Sequence, residues 1–119
     1  MNGSIDHKAL DAIRALQRPG KPDLLGRIVA LFESETPKAI ETMQQALDAG
    51  DAATLRDAAH TLKSSSAYLG AVALSARCRE LERAAREGNL PACVGLADGL
   101  EDDYADAIAE LGPLTARAA

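Results

Sequence analysis

A nucleophilic side chain that stands clear of its own helix, with a cation one turn away, is what the sequence offers at His60 and Lys63. An imidazole keeps one unprotonated, nucleophilic nitrogen near cellular pH. At about 100° per residue, His60 lies roughly 140° from the apolar stripe Leu55, Ala59, Leu62, Ser66 and Leu69, so it faces outward. Its neighbours three and four positions along are Arg56, Asp57, Lys63 and Ser64. Ala53, Ser64 and Ala67 are small. The chemistry that fits is acceptance of a group from a large partner: small residues let the partner's surface approach, and Lys63 can neutralise an incoming anion.

The other reactive side chains read as structural. His7 falls in the first turn of a helix among polar residues and is expected to be solvated surface. Cys78 and Cys93 have no CxxC spacing and each lies on an apolar helical stripe, which predicts buried, reduced thiols and fits a reducing, cytoplasmic compartment. Ser64-Ser65-Ser66 has no base in a triad-like arrangement and Ser66 faces inward, so serine nucleophilic catalysis is excluded. A bundle-core metal hydrolase needs inward pairs such as Glu-x-x-His, and none is present. Neither is there a glycine-rich phosphate loop, nor a carboxylate cluster arranged for magnesium.

Helical periodicity runs almost throughout and positions these residues. The first helix is expected over about Ile5 to Gln17, capped by Ser4 or Asp6, with Leu10, Ile13, Leu16 and Ala9 as its stripe. Arg18-Pro19-Gly20-Lys21-Pro22 breaks it. The second runs from about Asp23 to Ala49. Leu25, Ile28, Phe32, Ala39, Ile40, Met43 and Leu47 keep one phase across Pro37, which favours one long, kinked helix over two helices with Thr36 as N-cap. The third is expected over Ala52 to Leu69, ended by Gly70, and the fourth over Ala73 to Glu87 with stripe Leu74, Cys78, Leu81, Ala85. The fifth is expected over Leu90 to Leu111, capped by Asn89, with stripe Cys93, Ala97, Leu100, Tyr104, Ile108, Leu111. The tail from Thr115 to Ala119 is expected to fray. Short connections force antiparallel neighbours. The expected fold is all-α, an antiparallel up-down four-helix bundle with an additional N-terminal helix, as one domain over residues 1–119 with an ordered core of about 5–111.

Composition agrees and removes other classes. Apolar residues are 47% of the 119, enough for a core, while aromatics are only 3%, and the abundance of Ala and Leu favours helix over sheet. The 13 basic against 18 acidic residues give a net charge of −5, so phosphate neutralisation is missing and nucleic acid is not an expected partner. No stretch approaches the roughly 18 apolar residues of a membrane span, and no signal-peptide pattern opens the chain.

The run Ala59-His60-Thr61-Leu62-Lys63-Ser64-Ser65-Ser66-Ala67-Tyr68-Leu69-Gly70-Ala71 resembles the signature of histidine-containing phosphotransfer (HPt) domains, roughly AHxLKGxxxxxGA. Cys78-Arg79-Glu80-Leu81-Glu82 resembles the following helix of that family, and the resemblance spans about Ile5 to Leu111. It implies a module of a two-component phosphorelay. His60 would carry a phosphoryl group, on Nε2, to or from the aspartate of a receiver domain. Lys63 would neutralise it, and Glu82 would accept the Nδ1–H and orient the ring. On the residues alone, Glu82 lies on the flank of its helix, with Arg86 four positions on to pair with it. One departure is Ser64, where the family commonly has glycine.

The receiver is expected to dock over the third and fourth helices, with Arg56, Ser64, Ala67, Ser75, Arg79 and Arg86 as the partner-access surface. The chain is expected to hold no cofactor, the magnesium belonging to the receiver, and to be a phosphohistidine carrier without kinase activity of its own. It is further expected to be a monomer and to make no membrane contact. The alternatives are a helical adaptor that docks without carrying phosphate, and the dimerising phosphoacceptor domain of a sensor kinase. The latter usually has an acidic residue after the histidine and a proline soon after, whereas Thr61 follows here and the next proline is Pro91. The small-residue tail is expected for an excised C-terminal domain of a hybrid kinase, and a free-standing shuttle fits the same residues.

Overall fold

Caps and glycines divide the helical periodicity into six helices among the described residues, 5–115 of the computed structural model. Asp6 caps α1 (His7–Arg14), its side chain accepting from the Lys8 amide. Asp51 caps α3 (Ala52–Tyr68) through the Thr54 amide, and Asn89 caps α5 (Leu90–Ala97) through that of Ala92. Between them lie α2 (Leu24–Ala49) and α4 (Val72–Arg86), and α6 (Leu100–Thr115) is the last helix of the described residues. The Ser4 cap and the tail after Thr115 fall outside the described residues.

The bundle is the antiparallel four-helix one, formed by α2, α3, α4 and the α5–α6 arm, with α1 laid against α2. The third and fourth stripes are buried as expected: Leu55, Ala59, Leu62 and Ser66 on α3 with Leu69 at its C-cap, and Leu74, Cys78, Leu81 and Ala85 on α4. These two helices make the most extensive pairing in the molecule. Their hairpin is fixed at Gly70, whose φ of 75° favours glycine, and where an added Cβ would run into the Asp6 carbonyl. The Asp6 amide donates to the Gly70 carbonyl at 2.6 Å, so the segment that enters α1 is tied over that turn.

Pro37 does not split α2. The Glu33 carbonyl, which loses its helical donor to the proline, accepts from the Tyr104 hydroxyl of α6 at 3.2 Å. The neighbouring arm thus replaces the missing bond, and the helix continues. Thr36 is buried inside α2 and not its cap.

Two expectations about helix extent are corrected. The first helix ends at Arg14, and Leu16 is 60% exposed instead of lying on the stripe. Gln17 turns the chain there: its amide nitrogen donates to the carbonyls of Arg18, Lys21 and Pro22, and its oxygen accepts from the Leu24 amide at 2.7 Å. The last helix is two. It breaks at Asp98–Gly99, where Arg77 of α4 donates to the Leu96 carbonyl at 2.9 Å and pairs with Asp103. A side chain at Gly99 would occupy the space of that guanidinium. Both cysteines are buried and free, and burial pushes the Cys78 thiol up to about 12, the mark of an unreactive core thiol. Among the described residues, no helix is long and apolar enough to cross a membrane.

Candidate functional site

Because α3 turns its apolar stripe inward, His60 projects from the opposite flank with its side chain 60% exposed. Its ring is nonetheless fixed. Nδ1 lies 2.8 Å from Oε2 of Glu82, across the α3–α4 interface. Glu82 follows Leu81 on α4, one step round from the core stripe, which aims it at α3 rather than at water.

Glu82 thus sits on the flank of its helix facing a neighbouring helix, where the sequence placed it, and its side chain is only 8% exposed. A buried carboxylate needs partners, and this one has three. Lys63 donates to Oε1 at 2.8 Å, while Oε2 is shared by His60 and by Arg86 at 2.9 Å. The Lys63 hydrogen bond, opposed by burial and reinforced by His60, holds the Glu82 carboxyl below the usual carboxylate range. An ionised carboxylate only accepts, so the proton of a neutral imidazole sits on Nδ1. The outer nitrogen, Nε2, keeps its lone pair. The arrangement presents a nucleophilic nitrogen to solvent on an oriented ring.

Other expectations need adjustment. The Lys63 ammonium, read as free to reach an incoming anion, is engaged by Glu82, and its side chain is 29% exposed. Arg86, read as access surface and as the i,i+4 partner of Glu82, makes that pair at 2.9 Å while staying exposed. Arg56 pairs with Asp57 at 3.2 Å. His7 is exposed as expected but not free, its Nε2 lying 2.8 Å from Glu110 of α6. Ser64 is exposed, its hydroxyl turned back to the His60 carbonyl at 3.3 Å, and Ser75 donates to the Lys63 carbonyl at 3.1 Å, stitching α4 to α3. Lys63, Ser64, Ala67, Ser75, Ala76 and Arg79 line an open groove of about 610 Å³ beside the histidine. Arg79 makes no side-chain hydrogen bond or ion pair among the described residues.

A second groove, of about 440 Å³, lies between α2 and α3 and was not expected. Ile28, Leu31, Phe32, Ala39, Leu62 and Tyr68 line it, with Thr61, next to His60, at its edge. Leu31 and Tyr68 are 62% and 51% exposed. The signal was available: both are large apolar residues off their helices' core stripes. Among the described residues, no group of three or more His, Cys, Asp or Glu is placed to hold a metal ion.

Comparison with known proteins gives a consistent result. A family model described as the Hpt domain matches residues 27–110, which include α3 and α4 whole. Histidine-containing phosphotransfer protein 4 of Arabidopsis thaliana is 26% identical over 106 residues, spanning 87% of this chain and 83% of the relative. Histidine-containing phosphotransfer protein 2 of the same organism is 27% identical over 95 residues, spanning 77% of this chain and 61% of the relative. The crystal structure of histidine-containing phosphotransfer protein B from Pseudomonas aeruginosa PAO1 superposes with a TM-score of 0.87 at 27% identity, covering 98% of both chains.

Proposed function

The chain belongs to the Hpt domain family, and from that premise we propose that His60 is the residue through which it performs phosphotransfer in a two-component phosphorelay. The observation that carries this assignment is the ring itself: exposed, oriented through Nδ1 by a buried carboxylate, with Nε2 bare. In the forward step Nε2 attacks the phosphorus of an aspartyl phosphate on a receiver domain. The N–P bond forms, the P–O bond to the aspartate breaks, and that electron pair leaves with the aspartate as a carboxylate. The Nδ1 proton stays in place, held in its hydrogen bond to Glu82, and the ring takes up the positive charge. Return transfer is the reverse.

A magnesium ion belongs to the receiver on this reading, where it neutralises the moving group. This chain contributes the nucleophile, its orientation and its surroundings. Two grooves flank the histidine, and the receiver docks across both. The small residues Ser64, Ala67 and Ser75 admit it on the α4 side, with Arg79 as a cation in the lining. The apolar groove of Leu31 and Tyr68 supplies a surface to bury on the α2 side. We further read the chain as one monomeric, cytoplasmic module that carries the group without generating it, and that contacts neither membrane nor nucleic acid.

The test is transfer from a phosphorylated receiver to the purified chain, with an acid-labile, base-stable phosphate as readout. The wild type acquires it, and His60→Gln falls to background with an unchanged melting temperature, because the ring lies outside the core. Label retained by His60→Gln overturns the assignment.

A further inference from the structure

The polar groove beside His60 holds one charge that the chain itself does not use. Its charged lining residues are Asp6, Lys63 and Arg79. Asp6 caps α1, and Lys63 is bonded to Glu82. Arg79 is exposed and makes no side-chain hydrogen bond or ion pair among the described residues. The remaining cations of α3 and α4 are committed: Arg56 to Asp57, Arg77 to Asp103, Arg83 to Glu80 and Glu87, and Arg86 to Glu82. An unpaired guanidinium at the edge of a docking groove is a planar fork open to a carboxylate.

The charge distribution points the same way. Residues 52–86, which hold α3, α4 and His60, carry six lysines and arginines against three acidic residues. Residues 88–115, the α5–α6 arm, carry six acidic residues and no lysine or arginine. Because α6 packs on α2 and α4, it lies across the bundle from α3. In a chain of net charge −5, the face around His60 is therefore the one an acidic surface can approach, while the far arm repels it. Arg79 also stands apart from the reacting atoms. Glu82 is the residue of α4 that meets the ring. Arg79 lies one turn from it toward Gly70, among Ser64, Ala67, Ser75 and Ala76.

This inference rests on the receiver docking over that groove. We propose that Arg79 is a specificity-determining residue: it pairs with a carboxylate on the receiver's docking face, outside the transfer site, and so selects receivers that carry an acidic residue at that point.

The test takes, from a panel of purified receiver domains, the one that binds the wild-type chain most tightly. Affinity is read by titration, and transfer from its phosphorylated form. At low salt Arg79→Gln raises Kd and KM about fivefold and Arg79→Glu at least roughly tenfold, the scale of one ion pair at an interface rim. The kcat holds, and the gap closes as salt is added. Arg83→Gln, which removes the same charge from α4 outside the groove, shifts neither constant. Changing the receiver's exposed acidic residues to lysine one at a time recovers Arg79→Glu at a single position. The phosphohistidine lifetime in the isolated chain does not depend on Arg79. The melting temperature is unchanged throughout, since Arg79 and Arg83 are exposed.

Wild-type Kd and KM for Arg79→Glu overturn the proposal. So does an equal shift from Arg83→Gln, which would make the effect one of overall field, and so does a receiver on which no position recovers the variant. A lifetime shortened by Arg79→Gln would assign the arginine to the phosphoryl group instead. The phosphotransfer reading fails separately: if binding depends on Arg79 as described while wild type takes no label, the pairing stands and His60 is not the carrier. If no receiver binds the wild-type chain, both fail.

Discussion

The two flanks of α3 that border His60 differ in kind. Toward α4 the surface is a charged network closed on one buried carboxylate, with small residues and hydroxyls bonded back to the helix. Toward α2 it is an open apolar groove with Leu31 and Tyr68 standing in water. The first is organised around an atom, Nε2, and is already complete in the isolated chain. The second is organised around nothing in the chain itself. Chemistry needs preorganisation before the partner arrives, whereas docking needs apolar surface left uncovered until it does. On the proposed reading, a carrier that must release its partner after transfer separates the two, with the histidine on the border.

This division is broken most strongly from the apolar side. Leu31→Asp combined with Tyr68→Asp places two carboxylates in the groove and removes the area the receiver would cover. Burial of a large apolar side chain is worth about 1.5–3 kcal/mol, so the KM for the phosphorylated receiver is expected to rise at least roughly tenfold. The His60 resonances stay as in wild type. If the KM is unchanged in a transfer titration, the groove is not part of the docking surface. Ser64→Phe probes the other flank and has a smaller effect. Its ring projects over the groove beside His60 and holds the receiver off, slowing transfer on the order of several-fold at saturating receiver. The melting temperature moves little, because Ser64 is exposed and makes only a 3.3 Å bond to its own helix. Wild-type transfer by Ser64→Phe would show that the receiver does not approach over that groove.

What could be read ahead of the structure follows the range of the interactions. The α3 stripe, the outward His60 and the buried thiols depend on spacing within one helix, and they stand as expected. The continuity of α2 through Pro37 was legible from the unbroken phase of Leu25 to Leu47, although the reason, a hydroxyl from Tyr104 on the Glu33 carbonyl, was not. The division at Gly99 was hidden because its cause is Arg77, on a different helix. The partners of Lys63 and Arg86 were half legible. The i,i+4 spacing pointed to Arg86 with Glu82, but nothing local indicates that Lys63 crosses to the same carboxylate. The apolar groove depends on how α2 and α3 are registered, so two exposed side chains were its only trace.

The smallest effect on transfer, and the most specific one on stability, is expected for Glu82→Gln. The amide oxygen can still accept from Nδ1–H, so the ring keeps its orientation and transfer changes only modestly. The charge is lost. In wild type the Glu82 carboxyl is held below the ordinary range chiefly by Lys63, so the folded protein binds its proton less readily than the unfolded chain does. The stability this provides is fully present above the ordinary carboxylate value, about 4.3. It disappears as the pH falls through the lower folded value. Wild type is therefore expected to exceed Glu82→Gln by a constant margin of about 1 kcal/mol from neutral pH down to mildly acidic pH. The two curves then converge at more acid pH, as wild type loses the contribution the variant never had. Urea melts of both proteins across that range decide it. Parallel curves into strong acid would mean that the Lys63–Glu82 pair does not persist in solution. The polar flank of α3 would then rest on its hydrogen bonds alone, and its contrast with the apolar flank would be one of shape rather than of charge.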